Sequence, residues 1–266
     1  MLGRALKSDW LRMLANVKFW LAIPGVALLN WLTVADEWNL SRQESSLVYF
    51  LVSKEGLGVF FILITLMAAW LFGGCFLEDK RSRFFPYCLE RGRLPSYCIS
   101  KVVTAYVGAF LCVFLGDCLI FGILGTGVPF LTESQVEFQV FSQSRYYGTM
   151  TQGAPILYCI MEFSSEASGY AFSSMIAFLV SIYSSNSFVV LSSPILFYYG
   201  SMMLYQLLKL PAFFDWQNIR KNSFLFAGAS SDFQVWGMTL LYFLAGAAVF
   251  GILFYLLLKR RMENIV

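Results

Sequence analysis

The chain of 266 residues is 58% apolar and only 13% charged, with a mean hydropathy of +0.66, whereas an ordinary globular protein has roughly a quarter of its residues charged. This composition excludes a water-soluble enzyme and points to an all-α polytopic membrane protein, because apolar segments of about 20 residues recur, each long enough to cross a hydrocarbon core of roughly 30 Å as a helix. Net charge is +3 and histidine is absent; the six cysteines, Cys75, Cys88, Cys98, Cys112, Cys118 and Cys159, show no CxxC spacing and no neighbouring ligands, so no metal site is expected and the thiols read as small packing groups.

In chain order, residues 1–17 place Leu2, Leu6, Trp10, Met13, Leu14 and Val17 at spacings of three and four, with Arg4, Lys7, Ser8 and Arg12 around the other face. That is the pattern of an amphipathic helix lying in the membrane interface. A cleaved signal peptide is the competing reading. It is set aside because the basic stretch is long, no small-residue cleavage site follows the apolar run, and Pro24 sits inside that run. Six spans are predicted, at 19–34, 56–77, 102–124, 168–183, 188–208 and 235–258. The fourth and fifth are separated only by Ser184, Ser185, Asn186 and Ser187; a single helix over both would be roughly 60 Å long, twice the hydrocarbon thickness, so a tight hairpin is predicted. Two excursions remain. Residues 125–167 are polar and mixed and are expected to form a small structured cap or a partly helical loop, while 211–233 interleave aromatic and polar residues and are expected to dip into the outer leaflet, with Trp216 at interface depth. The whole of 1–266 is read as one transmembrane domain.

Charge segregation orients this arrangement. Thirteen of the nineteen basic residues fall before the first span, between the second and third, and after the sixth, and the opposite side holds ten acids, Glu162 and Glu166 among them. Basic residues concentrate on the cytoplasmic side, so both termini are placed there, in a cytoplasmic (inner) membrane. Of the cysteines only Cys159 then faces outward.

No GxxxxGK[ST] loop and no HExxH pair occurs, so the chain binds no cofactor through those motifs, has no catalytic residues of its own and is not expected to be an enzyme. The spans as drawn contain one acid, Asp117, which is either a pathway or proton-coupling carboxylate or a structural one bonded to neighbouring helices. Trp70 in the second span and Tyr198, Tyr199, Met202, Met203 and Gln206 in the fifth are candidate pathway residues, since methionine and aromatic surfaces adapt to varied apolar ligands; helix packing is the alternative. The most informative stretch is 78–101, where Glu78 and Asp79 precede Arg81, Arg83, Phe84, Phe85, Tyr87 and Leu89. Phenylalanines among basic residues in a loop need either a partner surface or anionic lipid to cover them.

The order of these features resembles an ABC-2 type permease, the membrane subunit of an ATP-driven exporter of the type V architecture: an amphipathic stretch before the first span, Glu78-Asp79 ending the second, the basic Arg81 to Leu89 block, Arg91-Gly92, Ser96-Tyr97 and Ser100-Lys101 leading into the third, the turn at Ser184 to Ser187, the partial segment after Pro211, and Lys259-Arg260-Arg261 at the close. The resemblance implies that 1–17 is an elbow helix and that Glu78 and the 82–89 block form a cytoplasmic coupling helix docked on a separate ABC ATPase subunit, which would hold the ATP and Mg. It also implies a second permease, identical or related, facing this one across the pathway in the lipid bilayer, with no nucleic-acid partner. The large 125–167 excursion departs from the smallest members and suggests a peptide or amphipathic compound as cargo. Two other readings stay open at this level: a secondary transporter driven through Asp117, and a non-transporting anchor or immunity protein that binds a toxin.

Overall fold

A computed structural model describes residues 2–40, 46–47, 50–51, 60–82, 85, 94–130, 145–222, 226, 229 and 231–263. Among them every regular element is helical: α1 (Leu2–Leu14), α2 (Val17–Leu40), α3 (Phe60–Phe72), α4 (Cys75–Arg81), α5 (Leu94–Leu124), α6 (Tyr147–Thr151), α7 (Pro155–Ser174), α8 (Ile176–Tyr183), α9 (Ser187–Leu208), a 3-10 turn at Ala212–Phe214, α10 (Trp216–Asn222) and α11 (Asp232–Glu263). Four helices are long and apolar enough to cross a membrane, Val17–Ala35 within α2, then α5, α9 and α11. A fifth arises if α3 and α4, bent by 40° at the Gly73-Gly74 break, count as one span.

The predicted fourth span, 168–183, falls on α7 and α8. Helix α7 starts earlier than the predicted span, so 155–167 is the first two thirds of a 20-residue helix with Pro155 at its N-terminus. At about 30 Å it has the length to cross a bilayer, yet Glu162, Glu166 and five serines make it too polar to qualify on composition. It survives by being enclosed: from Met161 to Ser174 every residue is buried, packed between α5, α11 and α3. Small residues allow this approach, as at Ala167 and Ala171, both sealed from solvent. The serines at 164, 168, 173 and 174 satisfy themselves by donating to carbonyls three residues back, at 2.7 to 3.1 Å, so they add no unmet polarity.

Helix α5, 31 residues long, is the other central element. Gly116 lets it close on α2, since a Cβ there would lie 2.7 Å from Val26. The hairpin between α8 and α9 forms at the predicted turn, where the Asn186 side chain caps α9 by accepting from the Phe188 amide at 2.9 Å. Helix α1 occupies most of the N-terminal amphipathic stretch, but its buried face contains Asp9 and Met13 while Leu11, Leu14 and the adjacent Val17 are exposed. The apolar stripe read from the sequence is therefore divided: Met13 and Trp10 face the bundle together with Asp9, while Leu2, Leu14 and Val17 are exposed.

Candidate functional site

The bundle buries two networks of charge. The first joins α1, α4 and the start of α5. Lys101 Nζ lies 2.8 Å from Asp9 Oδ1 and 2.9 Å from Asp79 Oδ2, with the Lys101 and Asp79 side chains 2% and 0% exposed. Asp79 also accepts from Arg12 Nη1 at 2.6 Å and from the Tyr97 hydroxyl at 2.9 Å, and Asp9 accepts from Ser100 Oγ at 2.5 Å. Two carboxylates thus share one lysine, with Arg12 balancing the second, which is the pairing a buried charge requires. Burial alone would lower the Arg12 pKa, but the hydrogen bond to Asp79 and its charge hold it above the ordinary value. At the solvent edge Glu78 meets Lys18 at 3.2 Å and Arg12 at 3.5 Å, contacts too exposed to add much stability.

The loop residues singled out from sequence divide around this network. Asp79 is its buried centre and Glu78 its exposed rim. Arg81 leaves it, donating to the Ser185 carbonyl at 2.6 Å and so tying α4 to the α8–α9 turn. Phe85 packs edge-on against Phe76 and Tyr97, at 5.4 and 5.3 Å between ring centres. Arg83, Phe84, Tyr87 and Leu89 lie outside the described residues. The candidate pathway residues do not share one surface. Tyr198 is buried against Trp216, whereas Tyr199, Met202, Met203 and Gln206 are on the exposed side of α9 and Trp70 is exposed on α3.

The second network is centred on α7. Arg145 grips Glu162 with two parallel bonds, Nε to Oε2 at 2.7 Å and Nη2 to Oε1 at 2.9 Å, and its remaining Nη1 donates to the Arg220 carbonyl at the end of α10. Arg220, 1% exposed, lies 3.6 Å from Glu166 and 4.7 Å above the Tyr170 ring. Its stem runs over Gly169, where a Cβ would come within 2.5 Å of Arg220 Cδ, so no other residue fits without displacing the arginine. Tyr146, in the left-handed region at φ 61°, shares a 2.7 Å hydrogen bond with Ser165, and Trp236 of α11 donates to Ser164 at 2.7 Å. Two segments assigned to outer loops are thereby fastened to one face of a buried helix. Sequence reasoning counted all four ions as loop charges. The available signal was the spacing Glu162-xxx-Glu166, one helical turn apart in a run of small residues.

Asp117 stands apart from both. It is 1% exposed on α5 and accepts from the Asn30 side chain of α2 at 2.6 Å, beside the close approach at Gly116. Among the described residues no group of three His, Cys, Asp or Glu could hold a metal ion. No protein-family model, curated protein or solved structure matches the chain.

Proposed function

We propose that this chain is the permease subunit of an ATP-driven ABC exporter of the ABC-2 type, crossing the cytoplasmic membrane six times with both termini inside. It works as a dimer with an identical or related permease, and a separate ATPase subunit binds and hydrolyses ATP with Mg. Cargo of peptide or amphipathic character passes between the two permeases. The observation that supports this reading best is the first charge network, because Lys101 and Arg12 fasten the N-terminal helix, the end of α4 and the start of α5 to one another. A push on the loop between α4 and α5 would reach all three elements together, as rigid-body alternation requires. The burial of Asp117 against Asn30 favours a helix-joining role over ion coupling, which disfavours a secondary transporter.

The test is co-purification with an ATPase encoded beside this chain. Replacing Phe84 by Ala, with Phe85 left in place because it packs on Phe76 and Tyr97 within the chain, should leave expression and insertion normal but weaken the complex about thirtyfold, the usual consequence of truncating an interface aromatic. Charge reversal at Arg83 should matter less, Arg81 being left in place because it ties α4 to the α8–α9 turn. If Phe84→Ala is silent while charge reversal at Arg83 abolishes function, the loop adsorbs to lipid and the proposal fails.

A further inference from the structure

An apolar groove of about 360 Å³ runs between the start of α5 and the last turns of α11, within the size range of small-molecule sites. Its floor is the contact of Gly251 with Val102, where a Cβ on Gly251 would lie 3.0 Å from Val102 Cγ1, and its walls are Ile99, Val103 and Ile252, which are 47%, 37% and 59% exposed. On α11 the groove follows Ala248, Ile252 and Tyr255, spaced by four and three. One more step of four along the same stripe is Lys259. Among the described residues that ammonium is half-exposed and held only by a 3.8 Å contact to the exposed Glu263, and Arg260 beside it is exposed. Along about 10 Å of helix the surface therefore passes from hydrocarbon to phenol to cation.

We propose that this groove seats an acyl chain of one anionic phospholipid, with its phosphate at Lys259 and Arg260. The sequence of polarity matches acyl chain, ester and phosphate in turn, and a phenol at the level of the ester is where tyrosine settles in bilayers. A second copy of the chain is the poorer occupant: in one membrane it lies in the same orientation and would bring its own basic end to the same depth, placing cation against cation. The inference rests on the chain sitting in a bilayer and is independent of any ATPase.

The full chain, carrying a benzophenone amino acid at the exposed position 252, is reconstituted in phosphatidylcholine vesicles containing a minority of phosphatidylglycerol, irradiated, and its adducts identified by mass spectrometry. Phosphatidylglycerol adducts should exceed its share of the lipid by about fivefold for each cation engaged, and Lys259→Gln with Arg260→Gln should return the ratio to the bulk value. The same group at Leu241, exposed further along α11, should report the bulk ratio throughout. Bulk-ratio adducts at 252, an enrichment that survives loss of both cations, or a crosslink to a second copy would each overturn the proposal.

Discussion

Replacing Lys101 by methionine keeps the volume of the stem and removes the ammonium on which two carboxylates converge. Asp79 would keep Arg12 at 2.6 Å and the Tyr97 hydroxyl at 2.9 Å, whereas Asp9, with its side chain 12% exposed, would keep among the described residues only the Ser100 hydroxyl at 2.5 Å. One acid remains compensated and the other does not. Breaking a buried pair from one side costs about 3–5 kcal/mol, or roughly two to four orders of magnitude in the unfolding equilibrium. Arg12→Met should cost about 1 kcal/mol, because that guanidinium is 40% exposed and Lys101 still serves Asp79. Adding Asp9→Asn to Lys101→Met should recover about 1–2 kcal/mol by removing the stranded charge. Reversible unfolding of the purified chain in mixed micelles, followed by helicity, measures all of these. If Lys101→Met is no worse than Arg12→Met, or if Asp9→Asn recovers nothing, the network does not hold the bundle as described.

Asp117→Asn should lower stability by about 1–3 kcal/mol through its contact with Asn30, with no change in the ion dependence of transport; a variant of normal stability that loses a pH-dependent step would reverse the assignment. Glu162→Gln should destabilise the chain by about 3–5 kcal/mol by stranding Arg145, and Arg145→Gln in the same chain should restore part of the loss. Cysteine placed at Ile156, which is 76% exposed, should react with an impermeant thiol reagent on intact cells, and cysteine at Arg260 only after permeabilisation. Native Cys159, at 5% exposure, should react slowly in either case.

Apolar runs made α2, α5, α9 and α11 legible, since nothing but a helix in lipid accommodates them. The α8–α9 turn was equally legible, because length forbids one helix there. Of helix α7 only the last third was read as a span. Glu162 and Glu166 look like loop acids in a sequence, and what makes them tolerable inside is a pair of arginines brought from distant segments. The same limit applies at Asp79, whose place beside Lys101 as a sealed carboxylate depends on packing between α4 and α5 that no spacing encodes. Glu162 and Glu166 thereby leave the count of outer acids, and the orientation keeps its other support, the side on which lysine and arginine accumulate.

The enclosure of α7 also bears on how the chain is assembled. As a segment emerging on its own, Pro155–Ser174 would bring two carboxylates toward hydrocarbon, and an ionisable residue at a span centre costs about 2.5–3.5 kcal/mol even by insertion scales. Arg145 is synthesised before Glu162, so that partner is at hand when the helix appears. Arg220 is not: it follows α9, and Trp236 of α11 comes later still. The contacts that enclose the middle of the molecule are therefore complete only once Arg220 and Trp236, from the last third of the chain, have been made.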